Sequence, residues 1–231
     1  MVMKTLGLIG GISWVSTVDY YRYINQGIND RLGWIDFGHI LLHSFSYGEI
    51  KRIADAGRFD ELRRLFVAAA GNMKDGGAEG IVICANTMHM FADDIEQAVG
   101  IPVIHIATAT AAAIQQQGLT TVGLLGTKPT MERDFYKDKL SNHSIATLIP
   151  DADDRDFIHD TIFEELGKGV FTDSTRRRYL DIMDKLVAAG AQGIVLGCTE
   201  IPMLVTQADV PVPVFDTTRI HADAAVAFSL G

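Results

Sequence analysis

The chain has 231 residues, of which 48% are apolar and 21% charged, and its formal net charge is −9. This length and composition predict a packed globular protein with one large domain or two small ones. The negative charge argues against a broad phosphate-binding surface, so nucleic acid is not an expected partner. There is no run of about 18 apolar residues and no secretory signal pattern, so we expect a cytoplasmic protein with no membrane partner.

Cysteine and histidine content limits the chemistry further. Cys84 and Cys198 are the only cysteines, which is too few for a disulfide framework, and reduced thiols are expected in the cytoplasm. The seven histidines do not form a cluster with the spacing of metal ligands. We therefore predict no metal site and interpret most histidines as polar residues of the core or its rim.

Strand-like apolar runs alternate with helical periods along the whole chain. The first predicted helix carries Val18, Tyr21, Ile24 and Ile28 on one helical stripe. Strand followed by helix, repeated, is typical of a parallel α/β sheet, and consecutive apolar positions predict strands covered on both faces. In chain order the strand-like runs are KTLGLIGG, FGHILLHS, AEGIVICAN, IPVIHI, TTVGLLGT, AQGIVLGC and VPVFD.

The pattern repeats itself once. TLGLIGG recurs as TVGLLGT, and GAEGIVICANTM recurs as GAQGIVLGCTEI, at a long period of roughly 110 to 116 residues. The predicted fold class is therefore α/β, with two similar lobes, each a mostly parallel sheet flanked by helices, related by pseudo-twofold symmetry. Ligands bind open α/β sheets at the carboxyl ends of the strands, so we expect the active site in a crevice between the lobes.

The glycine-rich turn at residues 7–11 follows the first predicted strand. Its spacing does not fit the dinucleotide-binding fingerprint. A tight turn whose backbone N–H groups line a small-anion pocket is one interpretation, and plain packing is the other. In the first case Ser13, Ser16 and Thr17 supply hydroxyl groups beside the helix start.

The second cysteine stands in GCTEIP, at the end of a predicted strand. Thr199 and Pro202 suit the start of a following helix, which would place the Cys198 thiol near a helix N-terminus and lower its pKa. A buried structural cysteine is the alternative. Asp216 and His221 follow the last strand and either line the crevice or, for Asp216, cap a helix.

Taken together, GLIGGISWVST, ANTMH, LLGTKPTM, GCTEIP and PVFDT resemble the aspartate/glutamate racemase superfamily over essentially the whole chain. The resemblance implies an isomerase that inverts the Cα of a small acidic amino acid without a cofactor. It also implies that the C-terminal segment returns to the first lobe. The expected lobes are then residues 1–99 with 211–231, and residues 100–210.

The resemblance assigns roles to individual residues. Such enzymes use two cysteines on opposite faces of the substrate Cα, and Cys198 matches one of them, as acid and base. Asn86, Thr87 and Thr199 are implied as donors to the α-carboxylate, where charge develops in the transition state. The further substrate-binding candidates are Thr127, Thr130, Glu200, Ser13 and Thr17.

Ala85 stands where the family places its first catalytic residue, directly before the Asn-Thr pair. Cys84 is one residue too early, and neighbours on a strand point to opposite faces, so we expect Cys84 to be structural. Three explanations remain open: an engineered replacement, a natural loss of one base, or a bulge that turns Cys84 into the site. An alanine has no exchangeable proton, so full inversion is expected to be impaired.

Two other functions and two details stay open. A single-thiol decarboxylase of the same superfamily and an amino-acid binding module that has lost catalysis both fit the missing first thiol. The cation for a distal carboxylate is Lys168, Lys51 or Arg52. The aromatic first helix and the loop after it form either a homodimer surface or core.

Overall fold

The computed structural model describes residues 2–231, which divide into two compact units. The first comprises the residues up to His105 together with His221–Gly231, and the second is Ile106–Ile220. Each unit contains a four-stranded parallel sheet flanked by helices, as predicted. No helix in the described residues has the length and apolar character to span a membrane.

In the first unit the strand order is β2-β1-β3-β4, with every neighbouring pair parallel. The central strands β1 and β3 are buried along their whole length, which explains their unbroken apolar sequence. A short 3₁₀ helix, Thr87–Phe91, follows β3. The elements are β1 Leu6–Gly10, α1 Trp14–Leu32, β2 Ile40–Ser44, α2 Tyr47–Asp55, α3 Phe59–Asp75, β3 Gly80–Ile83, α4 Ala92–Val99 and β4 Val103–Ile104.

The second unit repeats this arrangement with the order β6-β5-β7-β8, again all parallel. Short 3₁₀ helices lie at Leu166–Lys168, Ile201–Met203 and Gln207–Asp209. The equivalent strand orders confirm that the sequence repeat is a repeat of structure. The elements are α5 Ile106–Gln116, β5 Thr121–Gly126, α6 Lys128–Glu132, α7 Asp134–Ser141, β6 Ala146–Leu148, α8 Ala152–Glu164, α9 Asp173–Ala188, β7 Ile194–Gly197, β8 Val214–Asp216 and, ending in the first unit, α10 Thr217–Leu230.

The unit boundaries lie later in the chain than the predicted ones. Strand β4 pairs with β3, so the first unit continues to His105 rather than ending at residue 99. Strand β8 pairs with β7, so the chain returns to the first unit at His221, within α10, rather than at residue 211. The sequence thus predicts both edge strands, in IPVIHI and VPVFD, but assigns each to the other lobe, because an apolar run does not show which sheet it joins.

Only half of the predicted stripe of α1 is buried. Ile24 and Ile28 are fully buried, but Val18 and Tyr21 are 54% and 55% exposed. Tyr20, rather than Tyr21, lies in the core, where it packs with apolar side chains of β1 and β3. Helix α1 thus has apolar residues on both its buried and its exposed faces.

Candidate active site

The turn after β1 is built around Gly11 and Thr17. Gly11 has φ +81°, and a Cβ there would lie 2.1 Å from the Phe45 carbonyl oxygen, so only glycine fits. The Thr17 hydroxyl accepts from Gly11 N at 2.9 Å and donates to Ser13 O at 3.0 Å. Thr17 is 5% exposed, and its hydroxyl therefore already holds the turn together.

Ser13 stands at the start of α1, half-buried, with an unusual φ of +51°. The neighbouring Ser16 hydroxyl lies 3.0 Å from Ser13 O and 3.3 Å from Cys84 O. The turn is therefore tied to the segment that follows β3. This contact brings the carboxyl ends of β1 and β3 together in the first unit.

Cys84 and Ala85 lie on opposite sides of the sheet. Cys84 is fully buried beside Tyr20 and Ala222, and its N–H continues the ladder by donating to Ile9 O at 2.9 Å. Burial raises the pKa of the Cys84 thiol, which is therefore a neutral packing group. Ala85 instead packs in the cluster with Ile83 and is 8% exposed. Cys84 therefore packs on the side of Tyr20, and no bulge turns its thiol to the side of Ala85.

Asn86 and Thr87 follow directly and lead into the 3₁₀ helix. Asn86 is 4% exposed, and Thr87 is half-buried. The first unit thus gathers five of the predicted site positions where β1 and β3 end. They are Ser13, Thr17, Ala85, Asn86 and Thr87.

Behind Ala85 lies a group of buried rings that sequence reasoning did not connect. His89 Nδ1 donates to Ala85 O at 2.8 Å, and His221 Nε2 donates to Ile104 O at 2.6 Å. The Tyr20 hydroxyl lies 2.7 Å from His221 Nδ1, which accepts from it. The His89 ring is 5.1 Å from His221 and 4.9 Å from His105. Tyr20 and His221 are 201 positions apart, so no local pattern could indicate the pair.

These histidines are neutral at physiological pH. Burial lowers the pKa of His89 to about 4 and that of His221 to about 3. For these two residues the interpretation as polar core residues is confirmed. Among the described residues no group of three or more His, Cys, Asp or Glu side chains is arranged to hold a metal ion.

In the second unit Cys198 directly follows β7 and is 8% exposed. Its thiol donates to Glu200 Oε2 at 3.0 Å, and the Thr199 hydroxyl donates to the same oxygen at 2.7 Å. Glu200 is itself 7% exposed. The three residues form a compact group with one carboxylate oxygen at its centre.

The expected low pKa of Cys198 was wrong. Burial, and after it the negative charge of Glu200, raises the pKa of this thiol well above its usual value. The helix that follows is a 3₁₀ turn of three residues, Ile201–Met203, which is too short to offset either effect. Cys198 is therefore a protonated thiol held against a carboxylate.

Thr127 and Thr130 lie near this group. Thr127 precedes α6, and its hydroxyl is 3.1 Å from that of Thr130. Thr130 is fully buried, and its Cγ2 would be 3.2 Å from a Cβ placed on either Gly126 or Gly197. The second unit thus gathers Thr127, Thr130, Cys198, Thr199 and Glu200 where β5 and β7 end.

Asp216 caps α10. Its Oδ1 accepts from the backbone N–H groups of Thr218 at 2.9 Å and Arg219 at 3.2 Å. This confirms the capping interpretation and leaves no need for a ligand at Asp216. His221, the other residue singled out after the last strand, lies in the core of the first unit.

The three cations suggested for a distal carboxylate differ in environment. Lys51 is paired with Asp55 at 2.9 Å, and Lys168 with Glu164 at 2.6 Å, both as exposed i,i+4 pairs. Arg52 makes no ion pair within the described part of the chain. It lines a cavity of ≈ 350 Å³ together with Phe45, Ile50, Arg58 and Glu61.

Comparison with known proteins gives a consistent result. Residues 9–225 match the family model described as Asp/Glu/Hydantoin racemase. The broad specificity amino-acid racemase RacX of Bacillus subtilis (strain 168) is 21% identical over 239 residues, which cover 96% of each chain. A protein of Yersinia pestis described as a candidate Asp/Glu racemase is 48% identical, with a TM-score of 0.94 over 99% of this chain and 100% of that one. An aspartate racemase homologue of Pyrococcus horikoshii OT3 is 30% identical, with a TM-score of 0.85 over 99% and 100%.

Proposed function

The chain belongs to the Asp/Glu/hydantoin racemase family, and on this premise we propose that it exchanges the Cα proton of a small acidic amino acid, aspartate or glutamate, without a cofactor. The observation that carries the proposal is the Cys198 thiol, hydrogen-bonded at 3.0 Å to the Glu200 carboxylate at the end of a central strand. A buried acid–base pair of this kind suits general acid–base chemistry.

The proton balance of the proposed step is simple. Glu200 takes the thiol proton of Cys198, the thiolate removes the Cα proton of the substrate, and the same groups return a proton to the carbanion. Donors are needed beside the α-carboxylate, which gains charge as the C–H bond breaks. Asn86, Thr87 and Thr199 are proposed for that role.

Ala85 decides the stereochemical outcome. Inversion requires a proton on the face opposite Cys198, and the methyl group of Ala85 cannot supply one. The sequence repeat aligns Ala85 with Cys198, and both are 8% exposed, which supports Ala85 as the position of the missing partner. We therefore expect exchange on one face with little inversion.

Proton NMR in D₂O tests the proposal. L- and D-aspartate and L- and D-glutamate are incubated with the protein, with Ala85→Cys and with Cys198→Ser, and deuterium at Cα and chirality are followed separately. We expect exchange without inversion in the protein, inversion in Ala85→Cys, and neither in Cys198→Ser. Absence of labelling of every substrate by both the protein and Ala85→Cys would refute the assignment.

A single thiol also suits a second reaction class. In a decarboxylase one cysteine protonates the enediolate left after CO₂ departs, and a protonated Cys198 in a chain whose other thiol lies in the core of the first unit fits that step. Turnover of a substituted malonate with no exchange of amino acids would favour this function. Tight binding of an acidic amino acid with neither reaction would instead identify a binding module.

A further inference from the structure

The backbone leaves the sheet sharply at the end of β3. Pairing of β3 with β1 ends at Ile83, which lies opposite Ile9. Two residues later the Ala85 N–H donates back to Ile83 O at 2.8 Å and closes a three-residue turn. Buried carbonyl groups need hydrogen-bond donors, so those that follow the turn must find theirs outside the strand ladder.

His89, in the 3₁₀ helix after β3, supplies two of these donors. Its ring Nδ1 donates to Ala85 O at 2.8 Å, and its backbone N–H donates to Asn86 O at 3.1 Å. A carbonyl oxygen only accepts, so the contact assigns the ring proton to Nδ1. One residue therefore holds both the position proposed for the missing partner of Cys198 and the first of the proposed α-carboxylate donors.

The His89 ring is itself held in place by other buried rings. It is 2% exposed and packs edge-on against His221, with ring centres 5.1 Å apart. Both nitrogens of His221 are engaged, one with the Tyr20 hydroxyl at 2.7 Å and the other with Ile104 O at 2.6 Å. Contacts from α1, β4 and α10 thus fix the plane of the ring that contacts Ala85.

Packing alone does not account for a histidine at this position. Nε2 of His89 has no hydrogen-bond partner in the part of the chain that the structure describes. A buried polar atom without a partner costs free energy that an apolar side chain of similar size would avoid. The hydrogen bond to Ala85 O is the contact that such an apolar side chain could not replace.

We propose that His89 is a positioning residue for the reaction, which acts by fixing the direction in which Asn86 and Thr87 present their donors. The inference rests on the proposed function and adds a residue that is too deeply buried to touch the substrate. Charge on the α-carboxylate develops as the C–H bond breaks, so misdirected donors reduce the maximal rate more than the affinity for substrate. A displacement of about 1 Å is enough to reduce the rate by up to about 100-fold.

Two substitutions of His89 separate positioning from packing. In His89→Asn the amide nitrogen stands where Nδ1 does and still donates to Ala85 O, but the smaller side chain leaves a cavity. His89→Leu fills the space and has no donor. We therefore expect His89→Leu to be at least as stable as His89→Asn in urea denaturation, yet slower. Cα deuterium exchange is measured per folded protein, with whichever aspartate or glutamate enantiomer the unchanged protein labels fastest. The maximal rate of His89→Leu is expected to fall on the order of 30-fold with less than about threefold change in KM, and that of His89→Asn less than about threefold.

Two controls test for general damage. Cys84→Ala removes a buried group next to the segment and leaves the contact with the Ala85 carbonyl intact. His143→Leu removes a histidine of the second unit that contacts Gln115 instead. Both are expected to keep the rate of the unchanged protein. Equal rates in His89→Leu and His89→Asn, or rates that follow the order of stability, would overturn the proposal.

NMR gives a measurement that needs no reaction. Ring ¹⁵N signals are expected to show the His89 proton on Nδ1, and a proton on Nε2 alone would contradict the proposed contact. The backbone amide signals of Asn86 and Thr87 are expected to stay in place in His89→Asn and to shift or broaden in His89→Leu. If the unchanged protein labels no amino acid, the proposed function fails. Amide signals that move in His89→Leu would then still show that His89 holds the segment, and unmoved signals would show that it does not.

Discussion

The segments after β3 and after β7 occupy equivalent places in two units with the same strand order, yet they differ in chemistry. The repeat aligns Cys84 with Gly197 and Ala85 with Cys198. The exposed fraction is 8% at both Ala85 and Cys198. One position carries a methyl group and the other a thiol held by Glu200. Similar backbone positions therefore give one unit a proton donor and leave the other without one.

The side chains that contact each of these two segments also differ. In the first unit His89 donates to the Ala85 carbonyl and, with His221, is kept neutral by burial. In the second unit the carboxylate of Glu200 stands beside the thiol. The first arrangement positions backbone, and the second places a thiol proton against a carboxylate. The two cysteines of the chain accordingly have different surroundings, although both are buried.

Replacing each cysteine in turn is the most direct test of the difference between the two segments. Cys198→Ala is expected to reduce Cα deuterium exchange by about 10³-fold, because the proton-transfer group is removed. Cys84→Ala, in the core of the first unit, is expected to keep the exchange rate and to lose stability by about 1–2 kcal/mol through the cavity left behind. Equal rates for the two variants would show that Cys198 is not the reacting group.

The next largest effect is expected for Glu200→Gln. The amide cannot take the thiol proton, so exchange near neutral pH is expected to fall about 100-fold. With the negative charge gone, only burial continues to raise the pKa of Cys198, so alkylation of this thiol is expected to begin at lower pH than in the unchanged protein. Glu164→Gln, an exposed carboxylate of α8, is the control. An unaltered pH dependence of alkylation would contradict the contact with Glu200.

As the pH is lowered, we expect the first unit to lose stability at a higher pH than the second. The pKa values of His89 and His221, about 4 and about 3, lie below the ordinary 6.5, so below pH 6.5 the unfolded chain binds more protons than the folded one. The two histidines therefore leave the free energy of unfolding undiminished above pH 6.5. It falls as the pH drops toward 4, by about 2 kcal/mol per histidine at pH 5. Hydrogen exchange at pH 7 and pH 5 is expected to show lost protection around Tyr20 and β4.

Two substitutions check the source of that pH dependence. His221→Gln is expected to flatten the loss of stability between pH 7 and pH 5, even where it lowers stability overall. The exposed pair His143 and Gln115 offers a control, because His143→Gln removes a histidine that is not buried. Carboxylates whose pKa is lowered, such as Asp151, stay ionised in this range and do not contribute. A slope that is unchanged in His221→Gln would contradict the assignment.

The sequence predicts strands and repeat well because buried central strands leave an unbroken apolar pattern. It does not show which part of the α1 stripe is buried, because both faces of that helix are apolar and period alone cannot distinguish Tyr20 from Tyr21. It predicts the wrong pKa direction for Cys198 because burial of the thiol, and after it the charge of Glu200, outweigh the effect of a short helix start. The link between Tyr20 and His221 depends on tertiary structure alone.

The smallest expected effect concerns the distal carboxylate of the substrate. Arg52 lines a cavity in the first unit without an ion pair in the described residues, whereas Lys168 in the second unit already has Glu164 as its partner. Arg52→Ala is expected to weaken aspartate binding about tenfold, in keeping with the loss of one charge-assisted contact, with Arg52→Lys in between. Lys51→Ala and Lys168→Ala are expected to change binding less than twofold, since each frees an exposed carboxylate at little cost. Calorimetric titration with L-aspartate measures all four. If Lys168→Ala has the larger effect, the second unit supplies both the reacting thiol and the charge that selects the substrate, and the cavity at Arg52 serves another purpose.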